Sequence, residues 1–75
     1  MNEPITAQQL AEAANESYNT VDHWAEKGIL LFNRRGRRRT FPREENLRLI
    51  RRIRELQNKG HSLDGIREKL AEAKG

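Results

Sequence analysis

The sequence has no cysteine among its 75 residues, which excludes a disulfide framework, a thiolate zinc site and a cysteine nucleophile. Its two histidines, His23 and His61, lie far apart along the chain, so neither a metal site nor a cofactor is expected. No long apolar run is present and the mean hydropathy is −1.01, which excludes a hydrophobic membrane span. The stretch from Met1 to Leu10, carrying Glu3 and Pro4, lacks the basic start and apolar middle of a signal peptide. A soluble, cytoplasmic protein is the expectation. Aromatic residues are few, and Trp24, Phe32 and Phe41 each fall at a packing position, which disfavours a stacking platform for single strands. One domain over residues 1–75 buries only a modest core. No nucleophile, base and orienting group stand at a recognisable spacing, so the chain does not read as an enzyme.

What is present is arginine, and it is concentrated. Between Arg34 and Arg54 lie ten arginines against Glu44 and Glu45, an excess of eight positive charges, whereas the rest of the chain carries five basic and nine acidic residues. A basic block beside acidic flanks makes a directed field, and guanidinium groups fork onto phosphate oxygens or guanine edges. The partner this implies is nucleic acid.

Local signals divide the chain into four helices and one extended insert. Thr6 and Gln9 have the spacing of a capping box, which predicts a helix from about Ala7 to Ala14. Asn15, tolerant of the left-handed conformation, ends it. A second helix follows from about Ser17, its N-cap, to Lys27, with Gly28 as its stop. Ile29 to Phe32 is short and apolar, Asn33 to Arg37 is turn-like, and Arg38 to Phe41 is extended, which predicts a small β-hairpin with Gly36 near its tip. Pro42 suits the first turn of a third helix reaching about Lys59, with Leu49, Ile50, Ile53 and Leu56 on the core side, Leu47 at its margin, and Arg48, Arg51 and Arg52 opposite. Ser62 begins a short fourth helix with Leu63, Ile66 and Leu70 at helical spacing.

The first two helices carry the spacing of a helix-turn-helix. Ala11 is small where two backbones approach, Asn15 four residues later is a turn residue, and Val21 ten residues later is the apolar lock. Leu10, Ala14 and Trp24 occupy the other core places. Glu16 departs from the pattern, since an apolar residue is usual just after the turn, and its stem would have to cover the core while its carboxylate stays wet.

These runs, from Ile5-Thr-Ala-Gln-Gln-Leu-Ala-Glu-Ala-Ala14 through Ser17-Tyr-Asn-Thr-Val-Asp-His-Trp24, Lys27-Gly-Ile-Leu30, Arg37-Arg-Arg-Thr-Phe41, Glu44-Glu-Asn-Leu47, Ile50-Arg-Arg-Ile53 and Gly60-His-Ser-Leu63 to Ile66, resemble the DNA-binding domain of the MerR family of bacterial transcription regulators. The likeness extends from Ile5 to Leu70. It implies an all-α winged helix-turn-helix: four short helices, with a small two-stranded β-hairpin wing between the second and third. It further implies that the helix from Ser17 to Glu26 enters the major groove while the hairpin around Gly36 contacts flanking backbone or minor groove. Where that family usually has a phosphate-touching arginine, this chain has Asp22, which either opposes binding or orients a neighbouring arginine. Family regulators dimerise through a long helix after the fourth, so a homodimer on DNA is expected only if residues beyond this chain supply one. The chain is read as a DNA-binding fragment or a small protein acting differently.

The expected contacts to double-stranded DNA are Ser17, Tyr18, Asn19 and His23 on the recognition helix and Arg34, Arg35, Arg37, Arg38 and Arg39 on the wing. Asn19 is suited to adenine and His23 or Tyr18 to phosphate or a base edge. Strand alternation must turn some of the five wing arginines away. Arg48, Arg51 and Arg52 either extend the phosphate surface or form a solvated face. Two other readings remain open: an architectural DNA binder like the excisionases or phage small terminases, and an arginine-rich RNA binder.

Overall fold

The computed structural model describes residues 3–74, with side chains described through residue 72. The elements run β1 (Pro4–Ile5), α1 (Ala7–Ala14), α2 (Tyr18–Glu26), β2 (Asn33–Arg35), β3 (Arg38–Pro42), α3 (Arg43–Asn58) and α4 (Leu63–Lys74). The four helices and the wing follow the expected order, and the signals at the ends of α1 and the start of α2 find their physical counterparts. Thr6 Oγ1 accepts the Gln9 N–H at 3.1 Å while Gln9 Oε1 accepts the Thr6 N–H at 3.0 Å, so two otherwise orphaned donors at the start of α1 are satisfied. Asn15 takes φ 57° and ψ 45°, and the Glu16 N–H reaches back to the Ala11 carbonyl at 2.9 Å, closing α1 with a left-handed cap. Ser17 caps α2 by accepting the Thr20 N–H at 3.1 Å.

The wing is built differently from its sequence pattern in two respects. First, the apolar run does not form its leading strand. Ile29 and Leu30 are buried in the core as loop, and β2 begins only at Asn33. Burial of these side chains outweighs a strand ladder here because a fully buried polar side chain accommodates the loop backbone. Asn46 of α3 accepts the Leu31 N–H at 2.9 Å and donates to the Leu31 carbonyl at 2.9 Å and the Pro42 carbonyl at 2.6 Å. Second, the hairpin is part of a three-stranded antiparallel sheet ordered β1-β3-β2. Pro4 pairs with Pro42 and Ile5 with Phe41 on one side of β3, and Asn33, Arg34 and Arg35 pair with Thr40, Arg39 and Arg38 on the other. The Glu3 carbonyl accepts the Arg43 N–H at 2.9 Å, which ties the same N-terminal segment to the start of α3. Pro42 is therefore the N-cap of α3 rather than a residue of its first turn, and it offers no side-chain cap.

At the tip, Gly36 and Arg37 are the two turn residues between the Arg35–Arg38 pair. Gly36 has φ +59° whereas Arg37 does not have a positive φ, the pattern of a hairpin turn in which only the first central residue has a positive φ.

The core joins all the helices. Leu10, Ala11 and Ala14 of α1 meet Val21, Trp24 and Ala25 of α2, and Ile50, Ile53 and Leu56 of α3, Ile66 of α4 and Phe41 of β3 complete it. Leu47 and Leu49 are half-buried at its edge. Phe32 packs on Phe41 with ring centroids 5.8 Å apart and planes tilted by 45°. This core carries both α2, with its outward side free, and the base of the wing through Phe41.

Candidate nucleic-acid interface

Val21, Trp24 and Ala25 bury one side of α2, so the residues between them must face outward. Tyr18, Asn19 and His23 are all exposed. Tyr18 is the only large hydrophobic residue that is exposed among the described residues, a placement that suits a ring with a polar edge at a contact surface. Ser17 is also exposed, but its hydroxyl is engaged in the helix cap and lies 2.8 Å from Thr20 Oγ1.

On the wing, cross-strand pairing puts Arg34 and Arg39 on one face of the sheet and Arg35 and Arg38 on the other. Arg34, Arg35, Arg37 and Arg38 are exposed. A groove of about 620 Å³ runs between the wing and the helices, bordered by Arg34, Arg37, Arg38 and Arg39, by Tyr18 and Asp22 of α2, and by Thr6 and Gln8 at the start of α1. The structure thus brings Tyr18 to the wing arginines, while Asn19 and His23 lie outside this groove on the outward side of α2.

Arg39 stands apart from the other four. Its side chain is only 18% exposed. Nη1 donates to Asp22 Oδ1 at 3.0 Å, Nη2 donates to Glu26 Oε1, and the guanidinium carbon sits 5.1 Å from the centroid of the Phe32 ring. The hydrogen bond from Arg39, its charge, and the more distant charge of Arg34 hold the Glu26 carboxyl below its ordinary value of 4.5. Reciprocally, the bond to Glu26 raises the Arg39 pKa further. Of the alternatives left open for Asp22, its geometry matches the one in which it orients a neighbouring arginine. The sequence held a signal for this pairing: Asp22 and Glu26 are one turn apart on an exposed helix face that precedes the most basic segment of the chain.

Glu16, out of pattern in the turn, is met by Arg54 of α3. Its Oε2 accepts from Nε at 2.9 Å and from Nη2 at 2.6 Å, and Nη2 also donates to the Ala14 carbonyl at the end of α1. Of the α3 arginines on the other side, Arg48, Arg51 and Arg52 are exposed, and Arg52 is bonded to Glu55 at 3.1 Å. Among the described residues, no group of three histidine, aspartate or glutamate side chains is placed to hold a metal ion. No described helix is long and apolar enough to cross a membrane.

A helix-turn-helix whose second helix stands beside a basic hairpin defines a winged helix-turn-helix domain. The family described as MerR HTH family regulatory protein matches residues 5–73, nearly the whole chain, and the chain belongs to that family. It is accordingly a DNA-binding domain of the transcription-regulator type. Comparison with curated proteins gives no match, and neither does comparison with solved structures.

Proposed function

We propose that the domain binds double-stranded DNA sequence-specifically, with α2 in the major groove and the β2–β3 wing on the flanking backbone or minor groove. The observation that carries this reading is the common groove in which Tyr18 of α2 faces Arg34, Arg37 and Arg38 of the wing. A major groove about 12 Å wide accepts one α-helix, and a basic hairpin fixed beside that helix meets the phosphates next to it. In this arrangement Asn19 reads a base edge, with adenine its best partner, and Tyr18 and His23 contact phosphate or base. Ser17 lies at the N-terminus of α2, where backbone N–H groups and the helix dipole favour a phosphate. Arg34, Arg35, Arg37 and Arg38 supply charge against the backbone.

Selection of bound sites from a random pool of DNA duplexes tests the reading. Enrichment of a defined motif is expected, and paired half-sites would indicate a regulator acting as two copies. Tandem unpaired sites would favour an architectural binder of the excisionase kind. A pool that enriches no sequence, together with tighter binding to structured RNA, would overturn the assignment.

A further inference from the structure

We propose that Arg39 is a positioning residue rather than a phosphate ligand: anchored by Asp22 and Glu26, it sets the orientation of the recognition helix relative to the wing. This rests on the reading of α2 and the wing as the DNA-binding elements.

Three observations support it. Arg39 is the one wing arginine whose side chain is largely covered, and both of its terminal nitrogens already face carboxylates. Its two anchors lie four residues apart on α2, one turn along the same face. A single anchor would let the helix pivot about it, whereas two anchors a turn apart, held by a planar fork with fixed geometry, restrain rotation as well as distance. Behind the guanidinium, Phe32 rests on the buried Phe41, so the fork is backed by the core rather than by solvent.

Charge gives the proposal a sign that can be tested. Two carboxylates on the outward side of a DNA-reading helix repel a polyanion if they act only through charge, and their removal should then strengthen binding. As anchors for Arg39 they have the opposite effect, because their removal lets the wing and helix lose register with the duplex.

The experiment measures affinity against salt concentration for the best duplex from the random pool, using wild type and three variants. Glu26→Gln combined with Arg39→Gln preserves net charge, and it is expected to weaken binding about tenfold while keeping the wild-type salt slope. Arg38→Gln is expected to lower the slope by roughly 1, as removal of one phosphate-neutralising group requires. Asp22→Asn combined with Glu26→Gln is expected to weaken binding although it removes two negative charges. A reduced slope in the charge-balanced variant, or tighter binding by the Asp22/Glu26 variant, would overturn the proposal. Residual dipolar couplings of the free protein provide a readout that needs no DNA. The backbone vectors of β2 and β3 should lose their fixed alignment with those of α2 in the charge-balanced variant, and unchanged alignment would also overturn it. Failure of the DNA reading itself would show instead as a wild-type pool without enrichment, and the couplings would still decide what Arg39 does.

Discussion

Arg54 of α3 holds Glu16 in the turn between α1 and α2 through two nitrogens, at 2.9 and 2.6 Å from a single carboxylate oxygen. A polar residue at that place is thereby made compatible with the helix-turn-helix. The Glu16 side chain is only 24% exposed, and Arg54 also occupies the Ala14 carbonyl at the end of α1. Arg54→Ala is expected to destabilise the fold by about 1 kcal/mol, the upper range for a partly exposed pair. In a double-mutant cycle with Glu16→Ala the two effects should couple, and the coupling should shrink at high salt. Urea unfolding of the four proteins at two salt concentrations measures both. Strict additivity would mean that the bridge contributes nothing to the turn.

A second prediction concerns the loop between α2 and the wing. Asn46 is completely buried and provides both an acceptor and donors to backbone groups of the loop and of Pro42. Asn46→Leu should therefore cost about 3 kcal/mol, because a part-buried N–H at Leu31 is left without an acceptor and two carbonyls lose their donor. Amide hydrogen exchange at Leu31 should accelerate along with the fall in global stability. A destabilisation below about 1 kcal/mol would show that loop burial, not the asparagine, sets this conformation.

The side chains of Asn46 and Arg54 show where the sequence was legible and where it was not. Thr6, Asn15, Ser17 and Gly36 act on backbone groups within a few residues, so residue type and spacing revealed the helix limits and the hairpin tip. The core positions Leu10, Ala11, Ala14, Val21 and Trp24 of α1 and α2 followed from the helix-turn-helix spacing, and those of α3 from helical periodicity. Asn46 escaped because an asparagine among charged neighbours resembles any solvated helix residue, and its partner Leu31 is 15 positions away. β1 escaped because two residues cannot display a period. The Asp22 and Glu16 partners of Arg39 and Arg54 lie 17 and 38 positions off, and within a block of ten arginines nothing in the residue type singles out the two that pair with the helix-turn-helix.

The Arg39–Glu26 bond has a titration signature. Glu26 has a lowered pKa in the folded protein, chiefly through its hydrogen bond from Arg39. A carboxyl with a depressed folded-state pKa contributes stability above its unfolded value, and that contribution disappears as pH falls through the folded value. The Arg39–Glu26 bond should thus be intact at neutral pH and be lost on acidification through a midpoint below the ordinary 4.5 of Glu26. In a carbon-detected NMR titration, Arg39→Gln should move the Glu26 midpoint upward toward 4.5. A midpoint unaffected by Arg39→Gln would place the cause of the shift elsewhere.

The remaining prediction separates the wing from the recognition helix, because groups that neutralise phosphates and groups that read bases fail in different ways. Arg37 and Arg38 are exposed at and beside the hairpin tip, and no described ion pair engages either of them. Replacing both with alanine should weaken binding to selected and random duplexes alike and reduce the salt slope by roughly 1 for each phosphate that is no longer neutralised. Asn19 is exposed one residue into α2, and Asn19→Ala should cost about 1 to 3 kcal/mol on the selected site while leaving random duplex almost unaffected. Both variants should fold normally, because neither position contributes to the core. Fluorescence anisotropy on selected and random duplexes across a salt series resolves the two patterns. If the arginine variant kept its full salt dependence, the wing would not be on the phosphates; if the asparagine variant bound both duplexes equally poorly, α2 would be holding the backbone rather than reading bases.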